Sequence, residues 1–453
     1  MRTLISGGGL VVAERPELLE GGDLLIEDAV IAQIGEPGTL PGDGVDKVVD
    51  ATGCLTMPGL VNTHQHDWYV LGKGLGGDMI LEQWIRDCLF PLKANLSIDD
   101  LRVASELACL DMIRSGTTTS VNHLVVTTSP EQEDAILEPV VQSGMRQYFA
   151  KAIRPEDVPS AYEGARAAHE RWNGRAAGRI GIGFVLEATS HWMAAGTSTE
   201  EMVVGGHALA QELDTFVSSH IAGGSLSMED GYLKFVEEMG RTDLEFLHRA
   251  GVLDDRWILA HTIHPMGDDL DLIAAAGSTV SHTPSSEAAR GGGIAPIRDM
   301  IRNGINVALG TDGPMVDLTN DMIEQLKWTR LLQNQVHGEP DSIDLRQLVA
   351  MGTSNGAQVL RAQASFGRIA PGMRADLATF DLATLHSAVV HRPLSSLIHS
   401  ARGLDAKHVM VDGELLLEDH RFTRVDDLQV ADVLARAGER GRDLAQRSGL
   451  APA

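Results

Sequence analysis

Cysteine is scarce in this 453-residue chain: Cys54, Cys88 and Cys109 are the only three, and no two of them form a CxxC pair. A disulfide framework is therefore not expected, and a reducing, cytoplasmic setting fits. Positive charge is also short, with 37 Lys and Arg against 63 Asp and Glu and a formal net charge of −26. Phosphate binding needs clustered Lys and Arg, so neither nucleic acid nor an anionic membrane is expected as a partner. No apolar run approaches the ~18 residues of a membrane span. The opening MRTLISGGGLVV lacks the apolar region and cleavage pattern of a secretory signal, so export is not expected either. No internal repeat or low-complexity tract stands out, and Gly7 to Gly9 lack the third glycine and the crossover helix of a dinucleotide fingerprint.

What is present is an ordinary globular composition, 43% hydrophobic and 22% charged. Up to residue 57 the texture is short strands between Gly and Pro turns. From Pro58 it changes to short apolar runs alternating with longer helical patterns, which is how a parallel α/β sheet is written. Near Ala370 it reverts to strands (ADLATFDL, KHVMVDGELLLED), and a charged helix follows from Val425 to Ser448. Two domains are expected: residues 1–57 with 366–453 as a small β-sandwich built from both chain ends, and residues 58–365 as a catalytic barrel. Eight candidate strands lie in the central unit, ending at His64, His123, the MRQYFAKA run, Glu187, His220, His261, His282 and Asp312. Eight such units predict an α/β fold of the (β/α)8 TIM-barrel type, with an open doubly wound sheet as the rival.

Metal-ligand residue types gather at the strand ends, where such barrels build their active sites. His64 and His66 are two apart on an extended segment, so their imidazoles point the same way and can hold one ion. His220, His261 and Asp312 end later strands. Several imidazoles with one carboxylate suit zinc, with iron or manganese as substitutes. Each His alone is more often a hydrogen-bonded structural residue than a ligand, but their joint placement points to a metal site.

PGLVNTHQH, GTTTSVNHL, the strand-end His220, LAHTIH, ALGTDG, and the terminal GRIAPGMRADLATFDL with VMVDGELLLED resemble the amidohydrolase superfamily. The similarity is to the branch containing triazine hydrolases and nucleobase, adenosylhomocysteine and 8-oxoguanine deaminases. The resemblance implies one metal ion per subunit held by His64, His66, His220 and Asp312, with a water in the open position. It further implies Asp312 as ligand and base, His261 as donor to that water and to the developing oxyanion, and a homodimer or larger assembly. The implied activity is hydrolysis of a carbon–nitrogen bond, other than a peptide bond, in a small cyclic nitrogenous compound.

One departure stands out. In the deaminase branch a Glu follows the strand-five His by three residues, whereas His220 here is followed by Ile221, Ala222 and Gly223. Glycine does no acid–base chemistry, which keeps open a non-hydrolytic reaction (dehydration, cyclisation or decarboxylation) at the same metal, and a non-catalytic binding protein. Glu187, after the apolar run IGIGFVL, is the candidate replacement as proton shuttle; a bridge between two metals and a structural ion pair are its other readings. Trp68 and Trp192 are candidates for stacking on a planar substrate, while Trp84 has core spacing. His123 and His282 either line the pocket or are structural, Gln65 is a weak substrate candidate facing away from the ligand side, and His264 is assigned a supporting role.

Overall fold

The computed structural model describes residues 1–450 except 13–16, 41, 127, 155–157, 317 and 318, with backbone alone for 17–20. Among these residues the central strands are β6 (Leu60–Gln65), β7 (Thr117–His123), β8 (Arg146–Ala152), β9 (Ile180–Val185), β10 (Val217–Ile221), β11 (Trp257–His261), β12 (Thr279–His282) and β13 (Asn306–Leu309). They form one eight-stranded parallel sheet in sequence order. The sheet closes on itself, because Gln65 and Asp312 make a parallel bridge and the Asp312 amide donates to the His64 carbonyl at 2.9 Å. The fold is therefore the (β/α)8 barrel, and the open-sheet rival is set aside. Strands such as β7 are buried along their whole length, as a sheet covered by side chains inside and helices outside requires.

The chain ends build a second sheet from β1 (Arg2–Val12), β2 (Glu17–Glu27), β3 (Val30–Gly35), β4 (Lys47–Asp50), β5 (Cys54–Pro58), β14 (Leu377–Asp381), β15 (Ala406–Val411), β16 (Glu414–Glu418) and β17 (Arg421–Phe422). Its spine is the antiparallel pairing of β5 with β14, which joins the two ends of the chain. Only one residue, Gly59, separates β5 from β6, so the sheet and the barrel share a rigid seam. At that seam Arg146 is buried with its Nε 3.0 Å from Asp376 and its Nη2 2.7 Å from Asp412. The final helix, Asp427–Arg447, packs back on the barrel helix Ile98–Arg114 through Arg440 and Arg447, both bonded to Asp100. The three cysteines are buried and free. No helix among the described residues is long and apolar enough to cross a membrane.

Candidate metal centre and active site

The C-terminal rim of the barrel gathers His64, His66, His123, Glu187, His220, His261 and Asp312. Three of them lie beyond regular strand: His66 is one residue past the end of β6, Glu187 two past the end of β9, and Asp312 three past the end of β13. Asp312 is nevertheless pinned to the wall by its bridge to Gln65, and it takes a left-handed φ of 57°. His261 is also left-handed, at φ 71°. A side chain in this region costs of order 1–3 kcal/mol and persists only where surrounding contacts over-determine it, as at functional sites.

His64 is the hub. Its ring centroid lies 4.9 Å from that of His66, 5.1 Å from His220 and 5.2 Å from His261. The Nε2 atoms of His64 and His66 are 3.6 and 3.2 Å from Asp312 Oδ1. The outer nitrogens are tied down: His66 Nδ1 donates to the His123 carbonyl, and His220 Nδ1 donates to Glu187 at 2.8 Å. That leaves both Nε2 lone pairs aimed inward. His64 is fully buried, and neither of its ring nitrogens has a hydrogen-bond partner among the described residues. An unpartnered buried imidazole is costly unless something else takes its lone pair, so the set fits a divalent ion. Burial holds the His64 and His66 imidazoles below their ordinary pKa, in the neutral, ligating form. Burial alone would raise Asp312, but His64 and His66 outweigh it and hold the carboxyl well below the usual range.

Glu187 is 4% exposed and fully engaged, taking His220 Nδ1–H, His123 Nε2 at 3.3 Å and the His220 amide at 3.4 Å. Burial pushes its carboxyl up, yet His220 and His123 more than offset this and keep it ionised well below the ordinary range. Across the site, His261 Nδ1 lies 2.5 Å from Glu287 Oε1 and 2.8 Å from Thr283 Oγ1. Burial lowers the His261 pKa, while Glu287 and Asp312 together raise it overall. Ser286, next to Glu287 on the helix Pro284–Arg290, donates to Asp312 Oδ2 at 2.6 Å.

Above these groups opens a cavity of about 330 Å³. The chain is only 4% aromatic, yet Tyr69, Trp84, Phe90, Trp192, Tyr232 and Phe235 line this one space. That concentration suits a planar ligand of modest size. The wall also carries Glu82, Lys93, Arg154 and Arg290, the last with its guanidinium 4.0 Å over the Trp84 ring.

Residues 55–416 match the model of the Amidohydrolase family. The chain belongs to that family. It is a metal-dependent hydrolase of carbon–nitrogen bonds other than peptide bonds. It is 31% identical to a 5-methylthioadenosine/S-adenosylhomocysteine deaminase of Haloarcula marismortui, over 99% of this chain and 100% of that protein. It is 30% identical to a 5'-deoxyadenosine deaminase of Methanosarcina barkeri, over 93% of this chain and 94% of the other. Its fold is that of an adenosine deaminase from Xanthomonas campestris solved with bound zinc, with a TM-score of 0.87, 24% identity and 98% coverage of both chains.

Within this amidohydrolase, several sequence expectations need correction. Trp68 is 1% exposed and packs edge-on against Tyr69 behind the cavity, so it offers no face to a substrate. Gln65 turns away from the ligand side and bonds Asp67, which also accepts from Asn122 and Gln147. Strand alternation puts it on the face opposite His64 and His66. His123 sits behind His220, between Ser218 and Glu187, and does not line the cavity. His282 is buried off the cavity, with neither ring nitrogen hydrogen-bonded among the described residues. Glu187 touches the cavity, but its carboxylate is saturated by histidines, an arrangement that orients a ligand and leaves little for a proton shuttle. Trp84 is core, as its spacing predicts, and lines the cavity as well. Trp192 lines the cavity, and His264 bonds the Gly224 carbonyl at 3.1 Å from its loop. Sequence reasoning missed Tyr69, Thr283, Ser286, Glu287 and Arg290. The only available signal was an acid one helical turn after the Thr that follows β12, next to the Gly291–Gly293 loop.

Proposed function

We propose that the protein is a zinc-dependent aminohydrolase that removes the exocyclic amine of a purine-like heterocycle, releasing ammonia. The observation carrying this reading is the convergence of His64, His66, His220 and Asp312, with the unpartnered His64 packed against the His66, His220 and Asp312 side chains that line an aromatic cavity. The names of the adenosine-type relatives support the substrate class. These four residues would hold one ion per subunit, for which iron or manganese is the alternative to zinc. A divalent ion there would supply Lewis acidity and can lower the pKa of a water to about 7.

The rest is the work of the chain's own side chains. Asp312, held by Ser286 and kept ionised, takes the proton of the attacking water and returns it to the departing amine. His261 donates from Nε2 toward the oxygen of the attacking water as its proton leaves, a contact typically worth ~3 kcal/mol. Meanwhile the ring C=N electron pair moves to the ring nitrogen, and it re-forms the double bond as the amine departs. Glu187 fixes His220, and Trp192 contributes to the stacking wall. Residues 58–365 form the catalytic unit, and residues 1–57 with 366–453 form its supporting sheet. The buried free cysteines support a reducing, cytoplasmic location, and the quaternary state assigned by family resemblance is a homodimer, testable by sedimentation.

The test is ammonia release from adenosine and its 5'-modified analogues by the zinc-loaded protein. Turnover is abolished by Asp312→Asn and by chelation, and restored by zinc in the chelated wild type. A metal-free protein that still released ammonia at the full rate would refute the reading.

A further inference from the structure

Gly223 and Glu287 flank His261 on opposite edges of its ring. A Cβ placed on Gly223 would come no nearer than 3.6 Å to His261 and would meet the Cβ and Cδ2 side, so strand five sends no carboxylate to this imidazole. Glu287 approaches the Nδ1 side, 6% exposed, with Oε1 2.5 Å from the nitrogen. Thr283, four residues earlier and so on the same helix face, completes the contact. Its hydroxyl lies 2.8 Å from His261 Nδ1 and donates to Glu287 Oε1 at 3.3 Å. A hydroxyl that donates to the carboxylate accepts from the ring, which puts the hydrogen on Nδ1 and leaves Nε2 for the cavity.

The carboxylate is itself held in place. A Cβ on Gly292 would sit 2.6 Å from Glu287 Oε2, so only glycine there leaves the side chain this position. The neighbouring Ser286 holds Asp312, and one short helix therefore sets both groups that face the reacting atoms.

We propose that Glu287 is the positioning residue of His261, fixing its ring orientation with Nδ1–H on the carboxylate so that Nε2 is delivered to the reacting oxygen. This rests on the aminohydrolase reading for its catalytic consequence, but not for the pairing itself. A carboxylate that orients an imidazole acts through that imidazole, so its removal lowers turnover without weakening substrate binding.

Two measurements test it. In the metal-free protein, proton NMR is expected to show a ring N–H resonance shifted far downfield by the short contact, present in wild type and lost in Glu287→Ala. In the zinc-loaded protein, Glu287→Gln is expected to lower kcat about 10- to 100-fold with KM and zinc content unchanged, and formate is expected to restore part of the rate of Glu287→Ala. Gly292→Ala, which displaces the carboxylate without removing it, is expected to reproduce the loss in kcat. A resonance that persists in Glu287→Ala, or a wild-type kcat in Glu287→Gln, overturns the assignment. Wild-type protein that shows the resonance and deaminates nothing supports the pairing and counts against the proposed function instead.

Discussion

Replacing Glu187 by Gln distinguishes an orienting carboxylate from a proton shuttle. The carboxylate is 4% exposed and takes three donors, of which the His220 Nδ1 contact at 2.8 Å is the shortest. Glutamine keeps the shape but offers one acceptor oxygen in place of two, and its NH2 group would face either an imidazole N–H or the His220 amide. The charge that makes the His220 ring a better ligand is lost as well. Removing such a partner of a metal-bound histidine typically costs 10- to 100-fold in metal affinity, or about 1.4–2.7 kcal/mol. The assay is competition for zinc against a chromophoric chelator, with kcat measured at saturating metal. The expected result is weaker zinc binding and a smaller effect on kcat once the site is loaded. If zinc affinity is unchanged while kcat collapses, Glu187 is a proton shuttle and the reasoning from its hydrogen bonds is wrong.

Two further outcomes follow from burial. His282 is held to a pKa of about 3 by burial, whereas in the unfolded chain it titrates near its ordinary value of about 6.5. Below pH 6.5 the unfolded state therefore binds the extra proton, and stability falls with pH from there down to about 3. Asp67 and Asp243, raised to about 6 chiefly by burial, work in the opposite direction, so the comparison must be with a variant. Urea unfolding of the metal-free protein should show wild type losing about 1 kcal/mol more than His282→Leu between pH 6.5 and 5.5, and equal losses would count against the buried neutral imidazole. Gly310→Ala places a Cβ 2.7 Å from the His64 carbonyl oxygen and 2.9 Å from the His64 nitrogen, atoms that cannot swing away. It should lower stability by about 1–3 kcal/mol and reduce zinc content, read by thermal melting and elemental analysis.

The sequence by itself determined the barrel, the pairing of the chain ends and the gathering of the candidate metal ligands at the strand ends. Eight buried runs with helical patterns between them have few ways to close, and residues two apart on a strand share a face whatever surrounds them. That is why His64, His66, His220, His261 and Asp312 were legible, and why Gln65 could be read as facing away. The tertiary structure alone decided what happens past the strand ends. Trp68 follows the metal motif by two residues but turns into the core, because the turn Asp67–Gly72 is buried throughout. Glu187 has the spacing of a free acid yet is captured by His220 and His123, which come from two other strands. Glu287 carries no motif at all, and reaches His261 only because β11 and β12 are neighbours in the closed barrel. Local periodicity fixes a face, whereas the partner of a loop carboxylate is set by contacts between strands far apart in sequence, which is where this catalytic site keeps its acids.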